Sequence, residues 1–137
     1  MLDTNVVSEL RKGKRADQNV LAWHGGVPED ALFTSVLVLG EIRRGIERVR
    51  TADPIQAKAL ERWLLETQTI FEERVLPITS AVADRWGRIN AIRPLSVIDG
   101  LMAATALEND LTLVTRNVAD VTGTGAKVLN PFQARNA

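Results

Sequence analysis

The chain has 137 residues, with seventeen basic and seventeen acidic side chains, and so bears no formal net charge at pH 7. That length fits a single domain over residues 1–137 that buries its own core, and the charge balance excludes non-specific polyanion binding by the whole molecule, so any nucleic-acid contact must be local. Cysteine and tyrosine are absent and His24 is the sole histidine, which removes disulfides, thiolate sites and Cys-His nucleophiles and leaves the chemistry to carboxylates.

The opening residues MLDTN lack a basic segment followed by an apolar one, and no apolar run approaches the roughly 18 residues of a membrane helix. A soluble, cytoplasmic protein with no membrane partner is expected. Met1 and Leu2 are too few for an ordinary strand, so either the first strand is very short or residues upstream are absent, while Asp3, Thr4 and Asn5 read as the cap of a helix running to about Arg11. A second helix starts at Asp17, carries Val20, Leu21 and Trp23, and is stopped by Gly25-Gly26 and Pro28. His24 falls in its last turn, where an imidazole mostly complements the helix dipole.

Ala31 to Thr34 reads as a short strand, followed by a helix from about Ser35 to Arg50. At about 100° per residue, Val38, Leu39, Ile42, Ile46 and Val49 form one buried stripe with Glu41 on its flank. Asp53 caps the next helix, with Pro54 at N1, Gln56 at N3 and an apolar side of Leu60, Trp63, Leu64 and Phe71. A strand over Arg74–Ile78 precedes a helix over Ser80–Ala91 with Val82, Trp86 and Ile89 inward, and Pro94 then breaks the chain. Val97 to Leu107 is an apolar helix with one ionised group, Asp99, in its first turn. Leu111–Val114 reads as a strand ending in Thr115-Arg116-Asn117, and Lys127–Leu129 as another. Short apolar strands alternating with helices predict an α/β/α sandwich around a central, mostly parallel twisted sheet of four to five strands.

Ligands in such folds gather beyond the carboxyl ends of the strands. Asp3, Thr34-Ser35, Glu41 and Thr115-Arg116-Asn117 with Asp120 all fall on that edge, and Asp99 can face it. Each acid also has an ordinary explanation. Asp3 could simply cap; Asp99 could reach back to Ser96 as a capping-box acid; Glu41 could pair with Arg44 on the surface; Asp120 could sit in the loop before Thr122-Gly123-Thr124-Gly125. If the four gather, their charges repel and raise one another's pKa values unless a cation joins them. Mg²⁺ or Mn²⁺ takes oxygen ligands, keeps several waters and binds through one or two carboxylates plus phosphate. The chemistry this serves is phosphodiester hydrolysis, with one or two ions and no need of His or Cys.

Residues 2–10 (LDTNVVSEL) resemble the opening signature of PIN-domain nucleases, specifically the VapC/FitB toxins of bacterial type II toxin–antitoxin pairs. Three further segments agree in order: Ser35–Gly45 (SVLVLGEIRRG), Ser96–Leu107 (SVIDGLMAATAL) and Leu113–Phe132 (LVTRNVADVTGTGAKVLNPF). By this resemblance Asp3, Glu41 and Asp99 match the family's three main acids as catalytic residues and metal ligands. Both Asn117 and Asp120 are candidates for the fourth, with Asp120 favoured. Asn5 would hydrogen-bond the acids, and Thr4, Thr115, Arg116 and Asn117 would support the site or bind substrate. The implied activity is Mg²⁺-dependent endoribonucleolytic cleavage of RNA. The implied partners are an RNA substrate, a second copy of the chain in a homodimer, and a small antitoxin whose arginine pairs with the acids. Departures from the family pattern are the short first strand, Gly100 where alanine is commoner, which would soften packing beside Asp99, and Val121 where an aromatic often follows the fourth acid.

Two basic clusters flank the acids in sequence: Arg11, Lys12, Lys14 and Arg15, and Arg43, Arg44, Arg48 and Arg50. They are either a solvated face or a pair of phosphate-holding patches. Two alternatives stand beside cleavage. One is a PIN-like domain that binds RNA or a partner without cutting. The other is a receiver-like domain whose acidic pocket holds Mg²⁺, which would need adjacent acids after the first strand and meets Asp3-Thr4-Asn5 instead.

Overall fold

The structure, a computed structural model, describes residues 1–134. Leu2 is its central strand position. Leu2 bridges Thr34 on one side and Val114 on the other, both in parallel, through Leu2 N–H to the Phe33 carbonyl (2.7 Å), Asp3 N–H to the Val114 carbonyl (2.9 Å) and Val114 N–H to the Met1 carbonyl (2.8 Å). Beyond Thr34, β1 (Thr34–Ser35) pairs in parallel with β2 (Val75–Leu76). Beyond Val114, β3 (Leu113–Val114) pairs in parallel with β4 (Val128–Leu129). The order across the sheet is therefore β2, β1, Leu2, β3, β4.

That order decides where the helices lie. α1 (Thr4–Leu10) and α2 (Gln18–Gly25) lead from Leu2 outward to β1, and α3 (Val36–Arg50) and α4 (Pro54–Phe71) lead on to β2. The chain then crosses back through α5 (Ser80–Ile92) and α6 (Val97–Glu108) to β3, and a short α7 (Val118–Val121) continues to β4. Right-handed crossovers that reverse direction put the two sets on opposite faces. Packing agrees: α1 meets α2 and α3, and α3 meets α4, while α6 meets both α5 and α7. This is the predicted α/β architecture with a parallel sheet.

Local chemistry places the helix starts. Asp17, Ser35, Asp53, Thr79 and Ser96 each cap a helix by accepting a backbone N–H, which satisfies donors that the first turn leaves unpaired. Val38, Ile42 and Ile46 on α3 are buried as the periodicity predicts, as are Leu64 and Phe71 on α4. They pack with Leu2, Val6, Met102, Ala103, Ala106, Leu113 and Val114 in one core. The strands are shorter than their apolar runs suggest. Residues 29–31 form a 3₁₀ turn rather than the start of β1, and residues 72–74 form another before β2, because pairing stops where the neighbouring segment diverges. Among the described residues no helix is long and apolar enough to cross a membrane.

Gly100 is a correction. It does not loosen the packing beside Asp99, because a Cβ at this position would lie 2.8 Å from Trp86 Cδ1 and 2.9 Å from Nε1. Glycine is what allows α5 and α6 to approach this closely.

Candidate functional site

Leu2 and β3 are neighbours, yet the chain leaves Leu2 into a helix on one face and leaves β3 into a helix on the other. A crevice at the carboxyl end of the sheet follows from that reversal. Its two walls are Asp3 and Thr115.

Asp3 caps α1, its Oδ1 accepting from Thr4 N–H at 2.8 Å. Oδ2 accepts from the Thr115 hydroxyl at 2.7 Å and from Asn5 Nδ2 at 3.4 Å. The Thr4 hydroxyl donates to Glu41 Oε1 at 2.6 Å, so one threonine ties the α1 cap to α3 and holds Glu41 toward the crevice. The expected surface pairing of Glu41 with Arg44 does not form. Asn5 reaches across the crevice: Nδ2 also donates to Thr115 Oγ1 at 3.4 Å, and Oδ1 accepts from Arg116 N–H at 3.2 Å. Asn117 N–H donates to Thr115 Oγ1 at 3.1 Å. Asp3, Thr4, Asn5, Glu41, Thr115, Arg116 and Asn117 thus belong to one network.

Asp99 and Asp120 are not bonded into it. α6 returns antiparallel to β3, which puts its first turn, and Asp99, at the same edge of the sheet. There Asp99 is half-buried, and Ser96 Oγ donates to Asp99 Oδ2 at 2.7 Å while accepting from Asp99 N–H at 3.2 Å. The capping explanation of Asp99 therefore holds, and it occupies one carboxylate oxygen. Asp120 lies exposed in the first turn of α7. Among the described residues no three His, Cys, Asp or Glu side chains form a group arranged to hold a metal ion. Asp3 and Glu41 are brought together; Asp99 and Asp120 keep separate local partners or none.

None of the four acids has a lysine or arginine within ion-pair distance among the described residues. Asp3 and Glu41, partly buried oxygen donors without a cationic partner, fit a hard divalent ion that takes one or two carboxylates and keeps its waters. His24 lies elsewhere, lining an apolar cavity of about 410 Å³ with Val7, Leu10, Trp63 and Phe71. That cavity contains none of the acids.

The basic clusters are only partly available to phosphate. Glu61 on α4 accepts from Arg43 Nη1 at 2.6 Å and Arg50 Nη2 at 2.9 Å, and these two donors hold its carboxyl below the usual range. Lys12 pairs with Glu9 at 3.0 Å, and Arg11 lies over the Trp63 ring. Lys14, Arg15, Arg44 and Arg48 form no ion pair among the described residues. Sequence reasoning missed Asn19, Asn130 and Phe132, which tie the last described loop to Arg116. No local signal marks them, because the contacts span 14 residues or more.

Comparison with known proteins gives the family. A model described as PIN domain matches residues 1–119. The chain belongs to the PIN domain family. Toxin FitB of Neisseria gonorrhoeae is 27% identical to this PIN domain over 139 residues, covering 96% of this chain and 97% of that protein. VapC ribonuclease Y4jK of Sinorhizobium fredii is likewise 27% identical, over 97% of each chain. The crystal structure of FitAcB from Neisseria gonorrhoeae contains a chain that superposes with a TM-score of 0.82 at 27% identity, over 96% of each chain. The expected fold and family both stand, and the crevice described above is that of a PIN domain.

Proposed function

We propose that this PIN domain is a Mg²⁺-dependent endoribonuclease, with Mn²⁺ able to substitute, that hydrolyses RNA phosphodiester bonds as the toxin of a type II toxin–antitoxin pair. The observation that carries this reading is the Asp3–Thr4–Glu41 arrangement at the sheet's reversal point: two carboxylates joined through one threonine, neither paired with a base among the described residues. The names of the relatives support it, one a toxin and one a ribonuclease.

Asp3 and Glu41 would hold the ion, with Asp99 and Asp120 contributing from helices on the other face. When bound, such an ion polarises the phosphate and activates a water. The chain's own residues do the rest. The α1 N–H and the Thr115 hydroxyl fix both oxygens of Asp3, the Thr4 hydroxyl orients Glu41, and Ser96 fixes one oxygen of Asp99. Asn5 braces the crevice by bonding to both walls. These bonds preset the carboxylates, so little reorganisation is needed when substrate arrives. A cognate antitoxin that places an arginine against these acids would block them, and the active unit would be a homodimer.

The test is purified protein incubated with Mg²⁺ and a pool of cellular RNAs. Cutting is expected, and it should disappear with EDTA and with Asp99→Asn. Intact RNA throughout would refute the nuclease, and undiminished cutting by Asp99→Asn would remove Asp99 from the site. A second reading, binding without cleavage, is favoured by the lack of a three-acid group among the described residues. Under it, Asp3→Ala would leave the biological effect unchanged.

A further inference from the structure

Arg116 follows Thr115, whose hydroxyl bonds to Asp3. The guanidinium of Arg116 is not among the donors to that carboxylate. Its carbon lies 4.4 Å from the centroid of the Phe132 ring, and it forms no ion pair among the described residues. The backbone on both sides of this stack is fixed. Arg116 N–H donates to Asn5 Oδ1 at 3.2 Å and its carbonyl accepts from Asn130 Nδ2 at 3.4 Å. Phe132 N–H donates to Asn130 Oδ1 at 2.9 Å, and its carbonyl accepts from Asn19 Nδ2 at 2.8 Å. Arg74 offers a contrast: it too lies over an aromatic ring, Phe71, but its N–H groups are taken by the Leu32 and Ile70 carbonyls.

We propose that Arg116, held on Phe132, is a binding subsite for a backbone phosphate of single-stranded RNA beside the acids. This rests on the ribonuclease reading for its ligand. A guanidinium stacked by its face keeps its in-plane N–H donors free, and their fork matches two phosphate oxygens. Stacking also removes rotamer freedom before the ligand arrives, which lowers the entropy lost on binding. On the ring, and in no ion pair among the described residues, the guanidinium stays open to an anion. Phe132 is thus a positioning residue acting through Arg116.

The experiment measures binding of a fluorescein-labelled single-stranded RNA by anisotropy between 50 and 200 mM salt, a range of about fourfold that resolves single phosphate contacts. The full chain carries Asp3→Asn so that it does not cut. Adding Arg116→Ala should weaken binding about tenfold and make the plot of log affinity against log salt shallower by about 0.7. Arg116→Lys should restore the salt slope but only part of the affinity, because charge returns without the fork. Phe132→Leu should weaken binding about threefold with the slope kept. Thermal midpoints report any folding defect, which would not by itself change the slope. Unchanged affinity and slope in Arg116→Ala would overturn the subsite, as would loss of affinity in Phe132→Leu alone, which would mean that a base stacks on the ring. Cleavage by the unmutated chain is scored separately. If it cuts nothing while Arg116→Ala still weakens binding, the subsite stands and the nuclease reading falls.

Discussion

Asp3 has two duties that a substitution can separate. As the α1 cap it needs an oxygen facing Thr4 N–H, and as a proposed ligand it needs its charge. Asparagine keeps the first and removes the second. Asp3→Asn is expected to lower RNA cutting by at least about 100-fold, the scale of a lost catalytic group, with a thermal midpoint within a few degrees of the parent's. A midpoint collapse would mean that the residue is mainly structural. Gly100 poses the opposite case. Alanine normally favours a helix by up to about 1 kcal/mol, but here the new methyl meets the Trp86 indole at under 3 Å, and such overpacking costs about 1–3 kcal/mol. Gly100→Ala should therefore lower the midpoint in thermal unfolding, and an unchanged or higher one would refute the clash. The composition already favoured carboxylates for the chemistry. That Gly100 is dictated by Trp86 was not legible, since the two residues belong to different helices.

The α3–α4 hairpin shows how elements divide the charges between them. Glu61 draws in Arg43 and Arg50, and Arg50 also pairs with Glu47 at 2.8 Å. Since the folded pKa of Glu61 lies below its ordinary value of 4.5, chiefly through the Arg43 hydrogen bond and then that of Arg50, its contribution is complete above that value. It is lost as pH falls through the lower folded value. Glu61→Gln should flatten this part of the stability–pH curve in acid denaturation, and an identical acid limb would show that the network adds nothing. The pairs are partly exposed, so the effect at neutral pH should be small. Caps were readable at this scale because each is a local bond: Asp17, Asp53 and Ser96 cap as their sequence context predicts. Strand lengths were not. Of the Arg74–Ile78 run only Val75–Leu76 pairs as β2, with Arg74 closing a 3₁₀ turn, because a strand ends where its partner does.

At the scale of the molecule, the Met1–Asp3 segment centred on Leu2 joins the two halves of the sheet, and Leu2 is only 1% exposed. Truncating a fully buried leucine costs about 2–5 kcal/mol. Leu2→Ala should fall within that range, because it opens space between the sheet and the helices on one face, where Leu2 lines a cavity with Val7, Trp63 and Phe71. Chemical denaturation measures it, and a loss under 1 kcal/mol would show that the backbone bridges suffice. The crevice depends on the same residue: with Leu2 between β1 and β3, Asp3 emerges beside Thr115.

The sequence by itself determined what is local or compositional: helix periods, caps, the alternation that makes a parallel sheet, and the restriction of the chemistry to oxygen donors. The signature segments also marked the PIN family. Only the tertiary structure decided that Thr4 bonds to Glu41, that Arg43 and Arg50 turn onto Glu61, and that Arg116 lies on Phe132. The reason is physical. A period or a cap is set by bonds within a few residues, whereas the partner chosen by a long side chain depends on which distant segment the sheet order brings beside it.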